Sequence, residues 1–154
     1  MERLKKALSA AGIAYKENEP LCAHCTFRIG GPADLFVLPE NEEQLCAAIR
    51  LAKEAGVRSY LLGNGSNILF EDAGYRGAVI NVSAMKSGIG VIENISFPGK
   101  DPALTYDAVV VGAGQMLSSL CMAALGNSLT GLEFAYGIPG TVGGAVYMNA
   151  GAYG

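Results

Sequence analysis

Two glycine-rich segments have the composition of loops that bring backbone N–H groups close to a bound group. The first, residues 62–69, reads Leu-Gly-Asn-Gly-Ser-Asn-Ile-Leu, and the second, residues 131–154, holds seven glycines and one charged residue. Glycine allows close approach to the backbone, and successive N–H groups in a turn can form a nest that binds an anion. We therefore expect both segments to bind phosphate through the backbone.

The side chains near these segments favour phosphate binding without a lysine. After residue 77 the only cations are Lys86 and Lys100, and both lie outside the glycine-rich parts. Ser66 and Thr141 are the hydroxyl residues best placed to assist, and each charge-assisted hydrogen bond contributes about 1.5–3 kcal/mol. The second segment also contains apolar residues that suit a flat aromatic ring: Ile138, Pro139, Val142, Ala145 and Val146.

The first segment differs from the best-known phosphate loops. It lacks the Gly-Lys-Ser/Thr ending of a Walker A loop, and no Gly-x-Gly-x-x-Gly opens a helix there. Two interpretations without a ligand stay open. The first segment has the composition of an ordinary Gly-Asn-Gly turn, and the second that of a tight glycine-rich strand pair.

The cysteines do not indicate a metal site. Cys22-Ala23-His24-Cys25 has the spacing of a redox or metal pair, but a structural zinc site needs a second pair. The remaining cysteines, Cys46 and Cys121, fall in separate helical patterns, and His24 is the only histidine. We expect reduced thiols and no bound metal.

The strongest helix pattern of the chain follows Pro39. Asn41 is the predicted N-cap, Gln44 stands three residues on, and Gly56 marks the end. The predicted buried stripe of this helix consists of Leu45, Ala48, Ile49 and Ala52. A shorter helix over residues 2–11 is expected to cover the domain.

Strands predicted at residues 34–38, 57–62 and 77–82 flank this long helix. Residues 1–82 are therefore interpreted as a first lobe of β-α-β-β order. Residues 83–154 are interpreted as an incomplete second lobe, with antiparallel strands at 88–97 and 104–111 joined by a turn at 98–102. A helix over 115–125 follows, and its predicted inner face consists of Leu117, Leu120, Cys121 and Ala124.

Composition excludes several classes of function. The 154 residues carry a net charge of −3 and no basic cluster, so we expect no nucleic-acid partner. The uncharged stretch between Asp107 and Glu133 is interrupted by glycines and polar residues, and a strand followed by a buried helix explains it better than a membrane span. Because the N-terminus is charged from Glu2 onward and shows no leader pattern, we expect a cytoplasmic protein.

Three blocks together resemble one family, the UDP-N-acetylenolpyruvoylglucosamine reductases (MurB) of bacterial cell-wall synthesis. The blocks are residues 24–34 (His-Cys-Thr-Phe-Arg-Ile-Gly-Gly-Pro-Ala-Asp), 62–69 and 131–154, in that order and spacing. The resemblance begins near residue 20 and covers only the first half of the family's usual length. It implies an α+β, two-lobed FAD-binding fold of the vanillyl-alcohol-oxidase/p-cresol-methylhydroxylase type, truncated and without the C-terminal substrate domain.

The resemblance also implies a cofactor and a site. FAD would be bound non-covalently, NADPH would be the reductant, and a UDP-sugar would be the small-molecule substrate. The pyrophosphate would lie on the first segment, at Asn64, Gly65, Ser66, Asn67 and Ile68. The second segment would line the pyrophosphate and the isoalloxazine through Gly137, Ile138, Pro139, Gly140, Thr141, Gly143, Gly144 and Ala145.

The family's catalytic arginine, glutamate and proton donor all lie downstream of residue 154, so we assign no catalytic residue. Arg28 could replace the arginine, but its place in the first block favours a structural role through its five donors. The expected function is the FAD-binding part of an NADPH-dependent reductase that makes UDP-N-acetylmuramate for peptidoglycan. The alternative is a flavin-binding module with no turnover of its own.

Overall fold

A computed structural model of the chain describes residues 1–85, 88–95 and 106–151, without the side chains of residues 92–94. It divides into two units, Met1–Lys86 and Ser87–Gly154. The predicted turn at 98–102 lies outside the described residues, as do the adjoining ends of the two strands predicted around it.

A four-stranded sheet organises the first unit. Its strands are β1 (Ala14–Pro20), β2 (Pro32–Leu38), β3 (Ser59–Leu62) and β4 (Tyr75–Asn81), arranged in the order β1-β2-β4-β3. Strands β2, β4 and β3 are parallel, whereas β1 runs antiparallel to β2. Because parallel neighbours end at the same edge, the segments that follow β3 and β4 emerge together.

Strand β1 was not predicted from the sequence. Its residues are Ala-Tyr-Lys-Glu-Asn-Glu-Pro, and the strand has no fully buried side chain. An edge strand with so little apolar surface lacks the alternating pattern by which strands are recognised. Its place depends on backbone pairing with β2, from Ala14 opposite Leu38 to Pro20 opposite Pro32.

The two helices of this unit, α1 (Glu2–Ala10) and α2 (Glu42–Glu54), confirm the predicted helices. Gln44 donates its backbone N–H to Asn41 Oδ1 at 2.9 Å, and Gln44 Oε1 accepts from the Glu40 N–H at 2.8 Å. The predicted buried stripe is only partly correct, since Ile49 is 38% exposed. Buried residues of both helices form one core with the sheet: Leu4, Leu8, Ile13, Leu35, Val37, Ala48, Ala52, Ala78 and Ile80.

A second apolar cluster of the first unit lies beneath the loops. Phe36, Leu62 and Val79 from the strands pack there with Leu21, Cys25 and Phe70 from the connecting segments. Leu21 belongs to a short 3-10 turn, Leu21–His24. This cluster fixes the loop after β3 against the turn after β1.

The second unit contains the hairpin β5 (Gly90–Ile95) and β6 (Tyr106–Val110), which is antiparallel as predicted. It is followed by α3 (Leu117–Gly126), a 3-10 turn at Glu133–Ala135, and α4 (Val142–Tyr147). The predicted inner face of α3 is confirmed, because all its members are buried. The alternative prediction of a strand pair in the second glycine-rich segment is wrong, because the described part of that segment contains the 3-10 turn and α4. None of the helices in the described parts of the chain has the length and apolarity needed to cross a membrane.

We predict that Asn41→Ala lowers the unfolding free energy of the first unit by about 1 kcal/mol, because the N–H of Gln44 loses its acceptor. Asn41→Asp is the matched control, since a carboxylate retains the acceptor and suits a helix N-terminus. Urea unfolding followed by circular dichroism measures both variants. Equal losses for the two would contradict the capping role.

Candidate functional site

The first glycine-rich segment leaves the sheet at the carboxyl end of β3 and turns sharply at Gly65. This glycine is buried and has φ +66°. A Cβ atom built there would lie 2.0 Å from the carbonyl oxygen of His24 and 2.8 Å from Cα of Cys25. The loop therefore sits directly on the backbone of the turn after β1, and only glycine permits that distance.

Hydrogen bonds draw the carbonyl groups of this loop toward the protein. Thr26 donates to the Gly65 carbonyl twice, from its N–H at 3.0 Å and from its Oγ1 at 3.2 Å. Asn81, at the end of β4, donates its Nδ2 to the Gly63 carbonyl at 3.0 Å. The Asn81 side chain is itself fixed, because its Oδ1 accepts from Ser83 N at 3.0 Å and from Ser83 Oγ. Asn81 is only 5% exposed, so the loop is held by a buried amide.

The N–H groups of the same loop are available. Within the described part of the chain, the N–H groups of Asn64, Gly65, Ser66 and Asn67 have no acceptor. Backbone N–H groups of a folded protein are rarely left unpaired unless water or a ligand meets them. Consecutive free N–H groups on a fixed turn are the arrangement of an anion-binding nest. Ile68 adjoins them and packs partly on the cluster below the loop.

A cavity of about 410 Å³ opens beside this loop. Its lining residues are Ala23, His24, Cys25, Thr26, Arg28, Gly63, Asn64, Asn81 and Ser83. No aspartate or glutamate occurs among them, and Arg28 contributes the one permanent charge. The volume lies within the range of small-molecule sites, about 300–1,000 Å³. The electrostatics of the cavity favour an anionic ligand.

His24 contributes a titratable ring to this cavity. The ring stacks on Phe36 with centroids 4.1 Å apart, and its Nε2 lies 2.8 Å from Glu19 Oε1. Lys16 Nζ also lies 2.7 Å from that oxygen. Hydrogen bonds from Lys16 first, and then from His24, hold the pKa of the Glu19 carboxyl below its usual value. His24 is thus committed to a neighbouring carboxylate and a ring.

The second glycine-rich segment uses its N–H groups differently. Thr141 is 1% exposed and caps α4, where its Oγ1 accepts from the Gly144 N–H at 3.2 Å. The N–H of Val142 donates to the Gln115 carbonyl at 2.8 Å, and that of Gly143 donates to the Ala113 carbonyl at 2.9 Å. The expectation that these N–H groups are available for phosphate is wrong for Gly143 and Gly144, because the protein itself provides their acceptors.

Close packing explains why residue 143 is a glycine. A Cβ atom at this position would lie 2.8 Å from Cβ of Ala113 and 3.1 Å from its carbonyl oxygen. Upstream, the N–H groups of Gly137, Gly140 and Thr141 find no acceptor among the described residues. In the described part of this segment, these N–H groups without an acceptor precede α4.

The remaining predicted residues of the second segment are structurally diverse. Ile138 and Ala145 pack partly against the core of the second unit, and Pro139 has no N–H to offer. Glu133 Oε2 accepts from the N–H of Gly131 at 2.8 Å. None of the predicted site residues lines the apolar cavity of about 340 Å³ beside α3.

Sequence reasoning missed Asn81, Ser83 and Thr26 as parts of the site. A signal existed for Asn81, because it is the polar residue that ends the uncharged run of residues 77–80 in the strand Tyr75–Asn81. Thr26 stands in the first of the three blocks, but nothing in its sequence context indicates that it holds Gly65. Its role depends on a contact between residues 39 positions apart.

Comparison with known proteins places this geometry in a family. Residues 33–154 match the FAD binding domain family. The chain belongs to this family. It is 44% identical over 137 residues to UDP-N-acetylenolpyruvoylglucosamine reductase of Alkaliphilus oremlandii (strain OhILAs), a match that covers 89% of this chain and 41% of that protein. The resemblance carried by the three sequence blocks is thereby confirmed.

Solved structures agree with the family at the level of the fold. The crystal structure of MurB from Thermus caldophilus superimposes with a TM-score of 0.59 at 30% identity, covering 91% of this chain and 43% of that one. The VAO-type flavoprotein MtVAO713 of Myceliophthora thermophila gives a TM-score of 0.53 at 17% identity, covering 67% of this chain and 18% of that one. The predicted α+β FAD-binding fold of the vanillyl-alcohol-oxidase type is confirmed. The chain spans less than half the length of the curated relatives it matches, 41 to 47%.

We predict that Gly65→Ala destabilises the first unit by more than about 2 kcal/mol, because the added methyl group meets the His24 backbone in a left-handed conformation. Gly56→Ala is the matched control: Gly56 also has φ +66°, but nothing lies within 4 Å of its added Cβ. The control should lose only about 1 kcal/mol. Urea unfolding measures both, and equal losses would show that the loop can move off the turn.

Glu19→Gln tests the network around His24 through its dependence on pH. The pKa of Glu19 is lower in the folded protein than in the unfolded chain, so its interactions stabilise the fold above the unfolded pKa and are lost as the pH falls through the folded pKa. We expect wild type to exceed the variant in stability at neutral pH. The difference should shrink below about pH 4. Urea titrations at a series of pH values measure it, and a difference independent of pH would argue against the carboxylate's role.

Proposed function

We propose that this chain binds FAD non-covalently, with the diphosphate of the cofactor held by the backbone N–H groups of Asn64, Gly65, Ser66 and Asn67. The observation that carries the proposal is their availability on a loop whose carbonyls are anchored by Thr26 and Asn81. Of the loop residues, Gly63 and Asn64 line the cavity. The Ser66 hydroxyl can add a donor, and Ile68 can support the turn from below.

The fit between donors and cofactor rests on three properties of the first unit. The turn at Gly65 needs no rearrangement to present its N–H groups, so little conformational freedom is lost on binding. The cavity has room for part of a nucleotide and contains no carboxylate among its lining residues. Hydrogen bonds from N–H groups to a charged acceptor are among the strong ones, about 1.5–3 kcal/mol each.

For the second segment we propose a narrower set of contacts than the sequence implies. The N–H groups of Gly137, Gly140 and Thr141 have no acceptor among the described residues and are proposed to donate to the cofactor. Ile138, Pro139 and Ala145 are proposed to contribute apolar contact. Gly143 and Gly144 are retained for close packing and for the cap of α4, rather than as donors.

For the whole protein we propose the activity in the names of the relatives: an NADPH-dependent reductase that converts UDP-N-acetylglucosamine enolpyruvate to UDP-N-acetylmuramate for peptidoglycan. When bound, the flavin supplies the hydride chemistry. The residues described above bind and orient the cofactor, and none is proposed as a catalytic acid. Because its substrates are a nucleotide sugar and NADPH, we propose a cytoplasmic location and no nucleic-acid partner. A flavin-binding module without turnover is the alternative for the chain as it stands.

Flavin titration tests the proposal. We expect the purified chain to bind FAD at least about 30-fold more tightly than riboflavin, because only FAD carries the diphosphate that the loop contacts. Isothermal titration with FAD, FMN, ADP and riboflavin measures the difference, and ADP should compete with FAD. Equal affinity for FAD and riboflavin, or no binding of FAD, would contradict the assignment.

The same preparation separates the two functional alternatives. With FAD bound, NADPH oxidation is followed with and without the UDP-sugar substrate. We expect no substrate-dependent turnover from residues 1–154 alone. Rapid turnover would show that catalytic residues lie within this chain.

A further inference from the structure

Arg28 lines the same cavity as Gly63 and Asn64 of the loop, and its guanidinium is not engaged by any other described residue. The residue is exposed, and in the described part of the chain its side chain has no hydrogen-bond or ion-pair partner. Two other arginines of the first unit are engaged. Arg76 lies 2.9 Å from Asp34 and donates to the Pro32 carbonyl at 2.8 Å, and Arg58 lies over the Tyr75 ring. Unlike Arg76 and Arg58, Arg28 has its charge free for a ligand.

The backbone of Arg28 adopts a conformation that side chains other than glycine and asparagine rarely take, with φ +56°. Its N–H donates to the Cys25 carbonyl at 3.2 Å, which closes the turn on which it stands. Such a conformation persists only where the surrounding structure enforces it. Here it places an arginine, rather than a glycine, on the wall of the cavity.

The turn of Arg28 and the loop of free N–H groups are joined by hydrogen bonds. Thr26 stands two residues before Arg28 and donates twice to the Gly65 carbonyl. Gly65 in turn contacts the backbone of His24 and Cys25. The root of the Arg28 side chain is therefore fixed relative to the N–H groups of residues 64–67. Arg28 and Asn64, the first residue of that N–H series, both line the cavity.

We propose that Arg28 is a cofactor-positioning residue whose guanidinium pairs with the diphosphate held by the loop. The proposal rests on the proposed function and assigns to Arg28 the cationic contact that the glycine-rich segments lack. A guanidinium suits this task because its planar fork can donate two parallel hydrogen bonds to a phosphate group. The structural role expected for this arginine from its place in the sequence has no counterpart among the described contacts.

Arg28→Asn tests the proposal with minimal disturbance of the turn, since asparagine tolerates the left-handed conformation and removes the charge. Arg28→Gly is the second variant, because glycine adopts this conformation freely. Arg50→Asn is the matched control: Arg50 is exposed on α2 and does not line the cavity. Each variant is titrated with FAD, riboflavin and inorganic pyrophosphate, and its thermal melt is recorded.

We expect both Arg28 variants to bind FAD and pyrophosphate about tenfold more weakly than wild type and to bind riboflavin equally well. The slope of log affinity against log salt should also decrease, because one cation no longer meets the anion. Arg28→Lys should recover only part of the loss, since a point charge lacks the fork. Arg50→Asn should behave as wild type.

The outcomes distinguish this inference from the proposed function. If wild type binds FAD and the Arg28 variants match Arg50→Asn, the role of Arg28 is wrong and FAD binding stands. If riboflavin affinity falls as much as FAD affinity, Arg28 supports the fold of the cavity rather than the diphosphate, and the proposal is again overturned. If wild type binds neither FAD nor pyrophosphate, the proposed function itself fails.

Discussion

The contact between Gly65 and the backbone of His24 and Cys25 is the constraint on which the site depends. It joins the loop after β3 to the turn after β1, two segments that are about forty residues apart in the sequence. Thr26 and Asn81 then use the carbonyls of Gly63 and Gly65 as acceptors. These hydrogen bonds engage the carbonyls, whereas the N–H groups of residues 64–67 have no acceptor in the described part of the chain.

The two glycine-rich segments show that similar composition can serve opposite purposes. In residues 64–67 the N–H groups are left available and the backbone is fixed by its carbonyls. At the start of α4 the N–H groups of Val142, Gly143 and Gly144 are paired within the second unit, and glycine serves close packing against Ala113. Glycine content alone therefore indicates close backbone approach, and the hydrogen-bond partners decide what approaches.

The elements that were predicted correctly are those stabilised by residues close to one another in the chain. The cap of α2 at Asn41 and the buried face of α3 follow from side-chain chemistry and helical spacing. Strand β1 could not be predicted, because polar residues at the edge of a sheet are held by pairing with β2 rather than by their own burial. Helix α4 contradicts the poor helix propensity of Gly143 and Gly144. Its start is imposed by acceptors at Ala113 and Gln115, about thirty residues upstream.

The candidate site also has a part that could be predicted from the sequence and a part that could not. The loop at residues 64–68 could be found from its glycines and short polar side chains after a predicted strand. The hydrogen bond from Asn81 to the loop and the position of Arg28 at the cavity could not, because both depend on contacts between segments that are distant in sequence. Amide chemical shifts recorded by NMR during titration with ADP test the central claim most directly. The account predicts that the N–H resonances of residues 64–67 move downfield as they meet the diphosphate, while those of residues 142–144 stay in place. Unchanged shifts at residues 64–67 with ADP bound would contradict it.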